Sequence, residues 1–103
     1  MLSVKITCEA SHQLKNLPAN NRLQMILPAV RQARFVSVEQ PNDELFVVNF
    51  HVNHGTDPKK VIQAIQTTLD DMSVHAGFFQ VVEFKADNSA GWEPALNSYT
   101  FRM

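Results

Sequence analysis

Two histidines near the end of one apolar segment are the side chains of this sequence best suited to chemistry. The segment LFVVNFHVNHG, residues 45–55, carries His51 and His54 three positions apart, with Asn49 and Asn53 beside them. Histidine binds metal ions and transfers protons near neutral pH, so a metal centre and a general acid–base site are the two chemical interpretations of this segment. Either one requires a further group that converges on the histidines.

The further groups that the sequence offers are one thiol and several carboxylates. Cys8 is the only cysteine, and it falls in an apolar row, where a thiol is usually inert because burial disfavours the thiolate. The chain contains no CxxC, HxxxH or GxSxG spacing. We therefore expect no metal, no cofactor and no catalytic nucleophile. Acid–base catalysis by one of the two histidines, with Glu39 or Glu83 as its partner, stays as an alternative.

The segment HGTDPKK, residues 54–60, is a third chemical candidate because it places backbone donors and two lysines at a predicted helix start. Helix N-termini attract anions. The chain has only three glycines, however, and lacks the glycine pattern of a phosphate-binding loop,. We do not assign a phosphate site to this segment.

The charge and composition are those of an ordinary folded domain. The chain has 103 residues, of which 45% are hydrophobic and 18% charged, so we expect one domain, 1–103, with its own core. Nine basic and ten acidic residues are spread along the chain, for a net charge of −1. A nucleic-acid-binding surface normally concentrates Lys and Arg, so we do not expect nucleic acid as a partner.

Cysteine usage and hydropathy indicate the compartment. A single cysteine allows no internal disulfide, as is usual in reducing compartments. No apolar run approaches the roughly 18 residues that a membrane span needs. The start of the sequence, MLSVKITCEA, lacks the basic region and apolar run of a signal peptide,. We expect a soluble cytoplasmic protein with no membrane partner.

The first two elements that the sequence predicts are a strand and a helix that is interrupted by a proline. Residues 2–9, LSVKITCE, alternate apolar and polar side chains, which predicts a strand with one buried face,. Residues 11–33 have helical spacing, with an apolar stripe interrupted by Pro28. Proline removes a backbone donor and clashes with the preceding turn, so we expect a kink or a break there. The stripe consists of Leu23, Ile26, Leu27 and Val30.

The histidine segment is predicted to be the second strand of a hairpin. Strands 34–40 and 45–53 flank PNDE, a turn-forming tetrapeptide,. The even-numbered residues of 46–52 form the most apolar row, and they share a face with Val36 and Val38 only if the loop has an odd number of residues. We predict a hairpin loop of three or five residues. The odd-numbered residues of the second strand then form the more polar face.

The remainder of the chain is predicted to be a helix and two strands. Residues 55–77 read as a helix, with Asp57 as its N-cap and Pro58 at its first position,. A strand, 78–86, follows the helix. A loop and a fifth, edge strand, 95–103, complete the chain. The buried stripe of the helix is Val61, Ile62, Ile65, Leu69 and Met72.

The order β-α-β-β-α-β with an added C-terminal strand predicts an α+β fold. With right-handed crossovers it corresponds to a ferredoxin-like two-layer sandwich, in which the antiparallel-rich sheet has strand order 4-1-3-2 and both helices lie on one face. The added strand either extends the edge beside the fourth strand or pairs with another chain. The second face of the sheet is left open.

The open sheet face and the C-terminal tail are the predicted partner-binding surfaces. Strand 78–86 has apolar residues in both of its rows, so we expect some apolar area on the open face. Aromatic and arginine side chains, which are enriched at interface hot spots, occur in the loop and the tail. Alternatively, Trp92 seals the end of the core and the tail packs on its own sheet. The predicted partner-binding residues are Val47, Asn49, His51, Trp92, Tyr99, Phe101 and Arg102.

These features together predict a small non-enzymatic protein-binding domain. It would act by self-association as a homodimer, or by blocking a larger protein as a regulator or inhibitor. From size and type alone, we extend this expectation to viral accessory proteins of phages and mobile elements. The alternative hypothesis is a dimeric α+β-barrel enzyme or small-ligand binder, in which His51 lines a pocket between stacked sheets. A closed polar cavity beside His51 would favour the alternative.

Overall fold

The architecture is one antiparallel sheet with two helices packed against it. The computed structural model describes residues 1–8, 18–73, 79–86 and 91–95. The sheet order is β2-β3-β1-β4-β5, and every neighbouring pair is antiparallel. The predicted α+β class is confirmed. The elements are β1 (Leu2–Thr7), α1 (Ala19–Ile26), β2 (Ala33–Asn42), β3 (Leu45–Val52), α2 (Pro58–Asp71), β4 (Gln80–Ala86) and β5 (Glu93–Pro94).

β1 is the central strand of the sheet, between β3 and β4. Its predicted alternation is confirmed, because Leu2, Val4 and Ile6 are at most 2% exposed and lie in the core. Burial of an aliphatic side chain of this size contributes about 1.5–3 kcal/mol to folding. The intervening side chains are half-buried on the open face of the sheet.

α1 ends where the proline in its apolar stripe predicts a break. The helix stops at Ile26, and Leu27–Ala29, which contains the proline, forms a 3₁₀ turn. All four residues of the predicted stripe are buried, so the stripe continues through the break. Arg22 is buried in the same layer, with its guanidinium carbon 5.4 Å from the centre of the Phe79 ring. The first part of the predicted helical segment, 11–17, lies outside the described residues.

α2 begins as its sequence predicts. The Asp57 carboxylate accepts a 3.0 Å hydrogen bond from the backbone N–H of Lys59, and Pro58 occupies the first turn,. The predicted stripe is buried except for its last member. Met72 is 40% exposed, because it is the cap residue that follows the last helical residue, Asp71. The predicted burial of Met72 is therefore wrong.

The hairpin of β2 and β3 differs from the prediction in its loop. Asn42 pairs with Leu45, so the turn contains two residues rather than three or five. Val38 nevertheless faces the core opposite Val48. The extra residue that the prediction placed in the loop lies instead in β2, next to the turn, where the pairing with β3 shifts by one residue. Val36 is the extra residue of a second β-bulge and is 43% exposed,.

The bulge at Val36 reverses the side-chain alternation at the start of β2. Phe35 faces the core opposite Phe50, with ring centres 6.1 Å apart in edge-to-face geometry,. Arg34, one residue earlier, lies opposite His51 on the open face. The predicted place of Val36 in the core row is wrong, because the larger aromatic side chain of Phe35 occupies it.

A bulge in β4 removes the conflict between its two apolar rows. The register against β1 shifts so that Val82 is the extra residue. Without it, Val81 and Phe84, three positions apart, would face opposite sides of the sheet. With the bulge, both side chains and that of Phe79 reach the core, where each is at most 4% exposed. Val82 itself is half-buried.

The strand beside β4 begins earlier in the sequence than predicted. β5, Glu93–Pro94, pairs with β4, although the sequence places both residues in a loop. Ala95 is fully buried, and its N–H donates a 3.0 Å hydrogen bond to the carbonyl oxygen of Val82. The chain therefore extends the sheet edge beside β4 as far as it is described. The rest of the predicted fifth strand, 96–103, lies outside the described residues.

One buried amide side chain joins α2 to the start of β4. The Gln66 oxygen accepts a 2.8 Å hydrogen bond from the backbone N–H of Val81, and its nitrogen donates at 3.2 Å to the carbonyl oxygen of Phe79. A buried backbone group that loses its partner destabilises a protein by about 1–3 kcal/mol. Gln66 thus holds β4 against the helix layer, a role that the apolar stripe of α2 does not reveal.

Replacing Gln66 with alanine should lower the free energy of unfolding by about 2–3 kcal/mol, because two buried backbone groups lose their partner. The measurement is urea denaturation followed by circular dichroism. Gln63→Ala, on the exposed side of the same helix, is the matched control and should change stability by less than about 0.5 kcal/mol. Equal effects of the two substitutions would contradict this role for Gln66.

Candidate functional site

The open face of the sheet carries a hydrogen-bonded cluster centred on Asn49 of β3. Its side-chain oxygen accepts a 2.7 Å hydrogen bond from the Ser3 hydroxyl of β1. Its amide nitrogen donates at 3.1 Å to the Ser37 hydroxyl and at 3.3 Å to a carboxylate oxygen of Glu39, both on β2. Ser3 and Ser37 are the direct cross-strand partners of Asn49,. The sheet register therefore holds this amide in one orientation.

A second cluster on the same face joins β1, β4 and the residue that precedes β5. The Lys5 ammonium nitrogen lies 3.2 Å from a carboxylate oxygen of Glu83 and 4.4 Å from the centre of the Trp92 ring. The ion pair is partly exposed, so it contributes only about 0–1 kcal/mol. The cation–π contact is worth a similar amount at an exposed site. Together they place the only tryptophan of the chain on the open face.

A depression of about 540 Å³ lies at the corner of the sheet where β2 begins and β3 ends. Arg34 and His51, opposite each other on adjacent strands, form part of its wall. Arg31 precedes β2 and His54 follows β3, and both also line the depression. All four side chains are exposed to solvent. The described residues that line it are Arg31, Gln32, Ala33, Arg34, His51, Val52, Asn53 and His54.

The structure places the predicted partner-binding residues in different regions. Val47 and Asn49 are half-buried at the middle of the open face, and Trp92 lies on the same face beside Lys5. His51 lies apart from them, in the wall of the corner depression. The three tail residues are outside the described part of the chain; they are Tyr99, Phe101 and Arg102.

Sequence reasoning missed Arg34 and Lys5 as site residues, for different reasons. In the predicted register, Arg34 shares the core-facing row of Val36, and only the bulge places it beside His51. Lys5 is recognisable as an outward side chain from the alternation of β1. Its contacts, however, depend on β4 and on Trp92, which are remote in sequence. No local pattern in the sequence indicates these contacts.

The structure places the two candidate acid–base partners, Glu39 and Glu83, away from His51. Glu39 lies opposite Val47, four positions along β3 from His51, which corresponds to about 13 Å at ~3.3 Å per residue. Glu83 lies on β4, which β1 separates from β3. Proton transfer needs a contact of about 3 Å or a single bridging water. Neither carboxylate is therefore within reach of His51.

Two further features bear on the class of protein. Among the described residues, no group of three or more His, Cys, Asp or Glu side chains is placed to hold a metal ion. None of the described helices is both long enough and apolar enough to cross a membrane. Comparison of the chain with protein-family models, curated proteins and solved structures gives no match. The open face and the corner depression are therefore the two surfaces from which a function can be inferred.

Asn49→Ala should lower the free energy of unfolding by about 1–2 kcal/mol, because the half-buried hydroxyls of Ser3 and Ser37 lose their shared partner. His51→Ala, on the same strand and face, should change it by less than about 0.5 kcal/mol, since its side chain is exposed,. Urea denaturation of the two variants beside the unsubstituted chain measures both values. A loss of several kcal/mol at His51 would show that this side chain makes a buried hydrogen bond.

Proposed function

We propose that this chain is a small protein-binding domain that associates with a second copy of itself through the open face of the sheet. The observation that supports the proposal is the pair of fixed side-chain clusters on a sheet face that lies opposite the helix-covered core. We assign Val47, Asn49 and Trp92 to the interface, together with Lys5 and Glu83. In this proposal the domain has no catalytic role.

The middle of the open face combines apolar surface with polar groups that are already bonded, as interface centres do. Val47 lies between Lys5 and Glu39 in the cross-strand register, so an aliphatic side chain occupies the centre of three strands. Because the Asn49 cluster is bonded internally, few of its polar groups must find new partners when water is removed. Trp92 is of a residue type strongly enriched at hot spots. This surface can therefore pack against a flat partner surface at a low desolvation cost.

The charges on the open face favour a second copy as that partner. Glu39 lies on the β2 side of the face, and Lys85 lies on the β4 side, opposite Ser3. Glu83 also lies on the β4 side, so the face carries charges of both signs, and such a surface can complement itself in a second copy,. A net charge of −1 adds little repulsion between copies,.

Binding to a different, larger protein is the second form of this proposal, in which the chain acts as a regulator or inhibitor. The same face would then meet the partner, because its apolar centre and its charges of both signs do not require an identical chain. A monomer in solution whose open-face variants fail to bind a partner would favour this form.

We also propose the ferredoxin-like sandwich as the fold class. Starting from β4, the neighbouring strands come in the order β4-β1-β3-β2, and each neighbouring pair is antiparallel. Buried side chains of both helices join one core with the sheet. β5 is then an addition at the β4 edge. Both helices on one side leave the opposite face available for association.

The test of self-association is the mass of the purified chain by light scattering over a range of concentrations, with tryptophan fluorescence as the second readout. We expect a dimer that dissociates on dilution, with a red shift of the emission as Trp92 becomes more exposed. A chain truncated after Ala95 should remain dimeric. Truncation at this point keeps the buried Ala95 and its hydrogen bond to β4. A monomeric truncated chain would place the interface in residues 96–103.

Val47→Asp and Met25→Asp are the matched variants for this test. Val47→Asp introduces a charge at the centre of the proposed interface and should abolish the dimer. Met25 is 71% exposed on α1, in the helix layer, so Met25→Asp should leave the dimer intact. Circular dichroism confirms that each variant is folded. A full-length chain that is monomeric at every concentration would contradict self-association.

A further inference from the structure

We propose that the corner depression at the start of β2 binds a small molecule that carries phosphate groups, and that Arg31, Arg34, His51 and His54 hold its oxyanions. We call these four side chains the basic corner. The inference goes beyond self-association and does not depend on it. It rests on four basic side chains around one depression, among whose described lining residues there is no Asp or Glu.

The composition of the lining is the first argument. Among the described residues that line it, two are arginines, two are histidines and none is Asp or Glu. The whole chain has ten acidic and nine Lys and Arg residues, so this concentration does not reflect a generally basic protein. Arg31 also lines a neighbouring depression that includes Asp71. The two arginines nevertheless make the described lining of the corner depression positive, and positive charge attracts an anion,. The depression is therefore an electrostatic site for an anion.

The geometry of the basic corner is the second argument. Arg34 and His51 are direct cross-strand partners on the open face, and such partners have Cα atoms only about 4.5–5.5 Å apart. Arg31 approaches the same depression from the chain before β2. A guanidinium presents two parallel N–H donors that match two oxygens of one phosphate group, and imidazole adds a further donor. The amide side chains of Gln32 and Asn53, which also line the depression, can donate to the same anion.

The size of the depression indicates more than one phosphate group or a phosphate joined to a larger body. Its volume of about 540 Å³ lies within the range of roughly 300–1,000 Å³ of small-molecule pockets. A second depression, of about 390 Å³, shares Asn53 and His54 with the first and extends to Pro58 at the start of α2. The backbone dipoles at that helix start add a positive field, although the Asp57 carboxylate already accepts the N–H of Lys59.

The charge pattern of the open face favours a small anion over a polynucleotide. A polynucleotide needs a basic track that follows its backbone over several phosphates. Here the face next to the basic corner carries Glu39, opposite Val47, and further along Glu83, opposite Lys5. Both carboxylates would repel a strand that continued across the sheet. Lys5 is paired with Glu83, and Lys85 lies apart from the corner on β4. The described part of the face therefore clusters several positive groups only at the corner, which fits a compact anion.

Isothermal titration calorimetry of the full chain with pyrophosphate, at constant ionic strength, tests the proposal. We expect saturable binding of one pyrophosphate per chain that weakens as sodium chloride is raised. Arg34→Gln should weaken binding about tenfold, because a bidentate charged contact is lost. Lys85→Gln removes the same charge from an exposed position of β4 outside the depression, and should change the affinity by less than about twofold. Circular dichroism checks the folding of both variants.

Three results would overturn the proposal. One is the absence of pyrophosphate binding at millimolar concentration by the folded chain. Another is an equal loss of affinity in Arg34→Gln and Lys85→Gln, which would mean that only the net charge matters. The third is tight binding of a single-stranded oligonucleotide without binding of pyrophosphate. The same titration on Val47→Asp separates this proposal from self-association, because a monomeric variant that still binds pyrophosphate supports the basic corner independently of the dimer.

Discussion

A sheet that is covered by helices on one face can bury only one row of side chains from each strand, and this alternation constrains the whole molecule. β1 and β3 meet the constraint directly, because their apolar residues fall at every second position. β2 and β4 do not, since Phe35 and Val38, and likewise Val81 and Phe84, are three positions apart. One bulged residue in each strand, Val36 or Val82, restores a common buried row,.

The bulges that complete the core also create the candidate sites. In β2, the bulge turns Arg34 to the open face, opposite His51, and so assembles the basic corner. In β4, the carbonyl oxygen of the bulged residue Val82 accepts the N–H of Ala95, which continues the pairing of β4 with β5 and attaches the last described residues to the sheet edge. The adjoining segment places Trp92 over Lys5. The side chains on the open face therefore follow from the way in which each strand places one apolar row in the core.

The two proposed surfaces differ in whether their polar side chains already bond to each other. At the middle of the open face, Asn49 bonds to side chains of β1 and β2, and Lys5 pairs with Glu83. A surface whose polar groups already bond to each other can lose its water at moderate cost, which suits association with a flat partner. The basic corner is the opposite case, because its arginines and histidines face a depression in which no carboxylate is found among the described lining residues. A small anion is the complement that we propose for this group, because guanidinium donors match its oxygens.

The sequence by itself determined the elements from β1 to β4 and most of the core, because the alternation of β1 and β3, the stripes of α1 and α2 and the cap at Asp57 are local patterns of backbone geometry,. It did not indicate β5, which depends on pairing with β4. The tertiary structure decided the register. Nothing in the sequence around Val36 or Val82 marks a bulge, since each is an extra residue only relative to its neighbouring strand. The partners of the site residues, such as Arg34 for His51, follow from that register. They come from remote segments, and only the shared burial of one sheet face brings them together.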